Sequence, residues 1–405
     1  MIFYILPVLF VSISPWLNDA TTILRGAIIG IIPIFYLLFR DIKFSQFKVE
    51  MVLFIIIICG FGLSFLINKQ SYAHFLYGPY GRGLGVLALL GLFLLFILSA
   101  TEFNLHKRAF INTLQITSLL SIIYGSLQAY SLDIFNWDDK YTGSVILTTG
   151  NPNFASALLG LLSCYLMFLI YISKLSIKIY SLALYFMLLF LILRTNSSQG
   201  WVILLFTNLI LLLSLSKLKS KSSFNFGLIA IVLLILVAVT SLTFMNARKI
   251  DQIINFSDRI RHWRLAINMI QDNLLIGVGL GEFQTHASAY VSKEEARYWG
   301  DFLAPDRAHN VVLDFFASGG LIVGLIYTIF LLLISYYAIV IMKKNRNDKI
   351  FDKKDPIILL PPIWFGYLIQ ILISPSSLLI DAVGYITGGA ILGTYILYKG
   401  NVKNV

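Results

Sequence analysis

A chain of 405 residues that is 58% hydrophobic and 13% charged, with a mean hydropathy of +0.83, has left the composition range of soluble domains for that of polytopic membrane proteins. The net charge of +11 makes no case for nucleic-acid binding, because loop topology accounts for most of it. Cys59 and Cys164 each lie inside an apolar run, which implies neither a disulfide framework nor a metal site.

Apolar runs that approach the roughly 20 residues needed to cross about 30 Å of hydrocarbon fall near 1–17, 21–39, 50–67, 85–100, 108–130, 153–173, 179–193, 200–216, 225–245, 310–342, 356–374 and 383–398. The chain is therefore read as all-α and polytopic, with about 12 transmembrane helices and one long periplasmic loop containing short helices. The first run lacks a basic leader and a small-residue cleavage site, so it is read as a span rather than a secretion signal. Three regions follow: a bundle of about nine helices over 1–245, a loop over 246–308, and about three helices over 309–405.

Charge tests the orientation independently, since translocated short loops are poor in Lys and Arg. With the N-terminus inside, the loops on its side and the tail hold 18 such residues, while the short loops facing the other way hold four: Lys69, Arg82, Lys140 and Arg194. Both termini are thus expected in the cytoplasm.

The segment 246–308 is long for a connection and falls on the outer side, and loops of that length tend to be functional. Its eight basic residues are matched by eight acidic ones, so any cationic site within it must be local. From 258 to 272 the pattern reads as an amphipathic helix capped by Ser257 or Asp258. Trp263, Ala266, Ile267 and Ile270 fall on one stripe, and Arg261, Arg264, Asn268 and Asp272 on the other. Arg259 lies on the apolar stripe. A guanidinium aimed that way calls for a buried anion or carboxylate, unless it snorkels to water or pairs with a local acid. The following Gly277-Val278-Gly279-Leu280-Gly281 is no dinucleotide fingerprint, because Glu282 stands where the third glycine belongs and no βαβ unit surrounds it. Those glycines are expected to let the backbone turn tightly or approach another element.

Next, Ala308-His309-Asn310 stands at the outer entrance of a long span. Of five histidines, only His309 heads a transmembrane helix there, where an imidazole can exchange a proton near neutral pH; it can equally cap the helix or bind headgroups. Asp314, one turn further in, is costly in lipid and is expected to face the bundle interior. Arg82, Asn151, Asn153, Arg194 to Gln199, Arg259 and His309 all fall at outer ends of spans, and four helix N-termini point to the same face. Arginines, amides and helix N-termini converging at an interface suit a phosphate or pyrophosphate, although outer loops need polar residues in any case.

The series Ser257-Asp258-Arg259, Trp263, Asp272, Gly277 to Phe283, Ala308-His309-Asn310 and Gly319-Gly320 to Gly324 resembles the signature of the O-antigen ligase and polymerase superfamily. Gly150-Asn151-Pro152-Asn153-Phe154 and Ser198-Gln199-Gly200-Trp201 resemble its two upstream motifs. The resemblance implies a bacterial inner-membrane glycosyltransferase that moves a glycan from undecaprenyl diphosphate to an acceptor hydroxyl at the periplasmic face. The acceptor is lipid A core in ligases, another lipid-linked unit in polymerases, and a protein serine in oligosaccharyltransferase relatives.

Carried over by motif, His309 is the candidate base and Arg259 the expected grip on the diphosphate, together the catalytic pair. Arg82 has the same proposed job in the early outer loop, Asn153 a polar contact; Arg261 and Asn310 complete the substrate-binding set. Gln199 departs from the family's usual arginine, so either Arg194 substitutes for it or the donor or acceptor differs. No metal or other cofactor is expected, since the outer loops hold no paired-aspartate motif and no His/Cys cluster of recognisable spacing. A transporter is the competing class; it calls for charged or broken spans at the bilayer midplane, whereas the ionisable residues here gather at the rim.

Overall fold

The structure, a computed structural model, describes residues 2–14, 21–135, 137, 143–215, 256–292, 296–297, 305–348 and 354–402. Among them every element is helical: α1 (Ile5–Val11), α2 (Ile23–Leu37), α3 (Lys48–Asn68), α4 (Tyr72–Tyr77), α5 (Val86–Glu102), α6 (Lys107–Ala129), α7 (Pro152–Ile172), α8 (Leu175–Arg194), α9 (Gln199–Leu215), α10 (Phe256–Asp272), α11 (Phe283–Ala287), α12 (Val311–Asp348), α13 (Leu360–Ile373) and α14 (Leu378–Val402). Seven of the helical segments are long and apolar enough to cross a membrane, and four shorter apolar helices lie at Ile2–Val11, Ile23–Leu37, Val86–Glu102 and Gln199–Leu215. The chain is a multi-pass membrane protein. The count of 12 is not reached among the described residues, and the span expected at 225–245 lies outside them.

One expected span is shorter than its apolar run. Among the described residues 2–14, helix runs from Ile2 to Val11, about 15 Å at 1.5 Å per residue, which cannot cross the bilayer alone. After Val11 the backbone leaves the helix at Ser12, whose hydroxyl turns back to the Val8 carbonyl at 2.6 Å. Arg25 of α2, 2% exposed, braces this short piece by donating to the Leu9 carbonyl at 2.7 Å and to the Thr148 carbonyl at 2.7 Å.

The bundle holds together where small residues let backbones meet. Gly389 and Gly393 of α14 face α5 so closely that a Cβ on either would lie 2.0 Å from a backbone carbonyl oxygen, of Phe96 and Ala100 respectively. This is the small-xxx-small spacing by which membrane helices pack without a hydrophobic drive between them.

The end of α3 and a break in α12 position the loop. Inside α12, Gly320 has φ 74° and ψ −173°, outside helical geometry and open only to glycine at low cost. The glycine run docks into that break: Val278 N donates to Ala317 O and Gly279 N to Ser318 O, both at 2.8 Å, and Leu321 N returns a bond to Leu274 O at 2.7 Å. Asn68 Nδ2 then holds Gly277 O at 3.0 Å, and Gln70 Nε2 holds Val278 O at 3.2 Å. Positive φ at Gly277, Gly279 and Gly281 permits the tight path anticipated from the sequence.

Candidate functional site

The N-terminal ends of α5, α7, α9 and α12 gather on one side of the bundle, because contacts between their preceding loops tie them together. Arg82, four residues before α5, donates through Nε to Asp306 Oδ2 at 2.6 Å, and its Nη2 makes a second contact to the same oxygen. Asn151 caps α7 by accepting from Asn153 N at 2.9 Å, and Asn153 Oδ1 accepts from Ser197 Oγ at 2.7 Å, which joins α7 to the start of α9. Asn310 caps α12 through Leu313 N at 3.1 Å. The amide oxygens of Asn151, Asn153 and Asn310 are therefore each occupied by local structure.

Helix α10 lies against the start of α12, with a phase different from the one expected. Leu265, Ala266 and Met269 are its buried positions, whereas Ile267 is exposed and Trp263 and Ile270 are half-buried. Eight apolar residues spread around this helix, so periodicity alone leaves its rotation undetermined. Helix is already present at Phe256, so Ser257 and Asp258 lie within it; Asp258 Oδ1 accepts from Arg261 Nη1 at 3.2 Å.

The rotation brings Arg259 and His262 inward together, three residues apart on one face. His262 meets His309 with ring centroids 4.8 Å apart and planes tilted by 42°. Arg259 Nη2 reaches Gln199 Oε1 at 3.5 Å, a long contact, and Gln199, 2% exposed, donates in turn to Gln370 Oε1 of α13. His309 has φ 54°, uncommon for a side-chain-bearing residue and able to aim its imidazole back over the loop.

Electrostatics connect these groups. Burial pushes the His309 imidazole down to about 3, helped by His262, Arg82 and Arg259 and opposed by Asp306. Burial likewise lowers Arg259. For Asp306, burial raises the carboxyl, but Arg82 outweighs it and holds the group below the usual carboxylate range, with His309 and Arg307 adding to the effect. Arg82 and Arg259, from two distant parts of the chain, thus both act on His309. Buried Arg307 sits behind them among the charges of Arg82, Asp306 and Asp314, and Asp314 Oδ1 accepts from Ala308 N at 2.8 Å.

Not all sequence-derived candidates join this cluster. Arg194 is exposed and donates to the Ala129 carbonyl at 3.2 Å, bracing α6 and α8. Arg261 turns to Asp258, and Asn153 to Ser197. Conversely, no motif assigns a role to His262, Asp306 or Gln370. The first was discoverable from its i+3 spacing to Arg259 and the second from its place three residues before His309; Gln370 carried no signal.

Gln199 has a specific job: its oxygen faces a guanidinium and its amide faces another amide oxygen. Gln199→Arg puts a second cation beside Arg259 and removes that oxygen, so we expect a large loss of function. Adding Gln370→Glu supplies a carboxylate for the new guanidinium and should recover much of the loss. A double-mutant cycle on glycan transfer with both single variants measures this; losses in the double variant equal to the sum of the two single losses would show that the two residues are not coupled.

Residues 182–328 match the family model described as O-Antigen ligase. That interval runs from α8 through Arg259 and His309 into α12 and includes the glycine run. No curated protein matches the chain.

Proposed function

Taking residues 182–328 as an O-antigen ligase domain, we propose that this membrane protein transfers a glycan from an undecaprenyl-diphosphate donor to an acceptor hydroxyl at the outer face of the bacterial inner membrane. The match to the O-antigen ligase model supports the reaction class, glycosyl transfer of the ligase or polymerase type. The convergence of Arg82, Arg259 and His309 at the ends of α5, α10 and α12 carries the site assignment.

In this reading the acceptor oxygen attacks the anomeric carbon as the bond to the diphosphate oxygen breaks, and that electron pair leaves with the lipid diphosphate. Arg259 and Arg82 neutralise the developing charge, and His309, unprotonated in the empty site, takes the hydroxyl proton. A dianion bound to Arg82 competes with Asp306 for it. Once released, Asp306 supports the imidazolium that forms on His309, since its charge already favours protonation there. Clamping a good leaving group and holding the acceptor in line supply most of the rate, with no metal in the scheme.

The test is purified protein in lipid nanodiscs with a polyprenyl-diphosphate oligosaccharide and candidate acceptors. Transfer with release of the lipid diphosphate supports the reading; its absence with lipid A core, lipid-linked glycan and serine peptide acceptors alike refutes it. The same panel separates ligase from polymerase and from protein glycosylation.

A further inference from the structure

The far end of the bundle holds a cavity remote from the cluster around His309, mixed in lining and carrying both charged and apolar side chains. Its volume is about 420 Å³, and its walls come from the start of α3 and the later turns of α12 and α14, among them Gln46, Lys48, Glu50, Tyr337, Tyr395 and Lys399. The 20-residue rise of α3 separates Lys48 by about 30 Å from Asn68, which grips the glycine run at the opposite face. Such a volume lies within the roughly 300–1,000 Å³ of small-molecule sites.

Three features of the lining are unusual at a membrane boundary. Glu50 is 3% exposed, and its Oε1 accepts from Tyr337 Oη at 3.2 Å. Among the described residues no lysine, arginine or histidine nitrogen comes within 4.0 Å of that carboxylate. Tyr337 and Tyr395 stack with centroids 4.1 Å apart and make an aromatic wall beside it. Lys48 and Lys399, both exposed, lie at the mouth, and Leu392 and Ile396 of α14 form an apolar side.

We propose that this cavity binds the headgroup of a zwitterionic membrane lipid whose cation is a primary ammonium. The ammonium sits against Glu50 and the two tyrosines, the phosphate lies between Lys48 and Lys399, and the acyl chains leave along Leu392 and Ile396. A buried carboxylate needs compensation by a cation and by hydrogen-bond donors. A primary ammonium offers three N–H donors as well as charge; a quaternary ammonium offers charge and a fit to aromatic faces but no donor. A purely anionic headgroup satisfies the lysines and leaves Glu50 facing like charge. The order of depth, acid inside and lysines outside, matches the order of charges in a phosphoethanolamine headgroup entering amine first.

The full chain is reconstituted in nanodiscs containing equal phosphatidylethanolamine, phosphatidylcholine and phosphatidylglycerol, and the lipid retained on extraction is measured by native mass spectrometry. We expect phosphatidylethanolamine to be retained over phosphatidylcholine by about tenfold, the scale of one charge-assisted hydrogen bond. Glu50→Gln should erase that preference. The rim double variant Lys48→Gln/Lys399→Gln should weaken retention of both lipids and leave their ratio unchanged; its exposed positions make it a safe second reading should Glu50→Gln fold poorly. Equal retention of all three lipids would mean that Glu50 simply carries a proton, and the proposal falls. It falls as well if phosphatidylglycerol is retained best, because lysines alone would then account for the site. Neither outcome bears on glycan transfer.

Discussion

Replacing Arg259 or His309 with alanine should reduce glycan transfer by at least 10²-fold each while leaving membrane insertion and thermal stability near those of the unmodified protein. The scale follows from what each group supplies: roughly 10²–10³ for a preorganised charge on the leaving group and 10²–10⁴ for a positioned base. Arg259→Lys should remain far below the native rate, since an ammonium lacks the forked geometry that suits a diphosphate. Transfer measured on purified variants against a polyprenyl-diphosphate glycan checks this. Native rates for either alanine variant would remove that residue from the chemistry.

The same cluster sets a pH expectation. An ordinary histidine protonates near 6.5, but His309 in the empty site is pushed down to about 3 by burial, His262 and the two arginines. Transfer rate per free enzyme should therefore show no acid limb at 6.5, and His262→Phe, which removes one depressing charge, should move the limb upward. The linked stability has a definite sign. A histidine whose folded value is lowered contributes stability fully present above the unfolded value and lost as pH falls from 6.5 toward about 3. A limb at 6.5 in the native enzyme would show that His309 is solvated as an ordinary histidine or is not the base.

Gly389→Val should be among the most destabilising single substitutions in the molecule. Any Cβ there falls 2.0 Å from Phe96 O and 3.0 Å from Ser99 Cβ, and neither the α5 backbone nor its partner can step aside without parting the two helices. Overpacking of this kind costs about 1–3 kcal/mol where side chains can adjust, and more where backbone must move. Fluorescence-detected size exclusion after heating should show a lower midpoint for this variant, whereas a conservative change at lipid-exposed Leu397 should leave the midpoint unchanged. A Gly389→Val protein as heat-resistant as the native chain would show that α5 and α14 are free to separate.

Sequence reading reached the helical class and the positions of many apolar helices, because hydropathy and turn chemistry are local signals. The gaps arise where the deciding interaction is not local. Arg25 was passed over inside an apolar run, although its carbonyl partners Leu9 and Thr148 fix a short helix that the hydropathy profile shows as a full span. The rotation of α10 depended on which of Leu265 and Ile267 met α12, and only packing decides between them. Gln199 read as a departure from an arginine motif; its environment, between Arg259 and Gln370, is set by a residue 171 positions away. Arg194 looked interchangeable with it by proximity in sequence, but one helical end turned it toward Ala129.

The docking of residues 274–279 into the break at Gly320 has a consequence for turnover. Three backbone hydrogen bonds fasten that turn to the first part of α12, the part that carries His309 at its head. At about 0.5–1.5 kcal/mol each, with buried polar groups left bare if they open, withdrawing the imidazole would require peeling the whole attachment. On the proposed mechanism the head of α12 is thus a fixed post and a lipid-borne donor must do the travelling: transfer should slow with membrane viscosity and two-dimensional dilution of that donor before it slows with any stiffening of the protein.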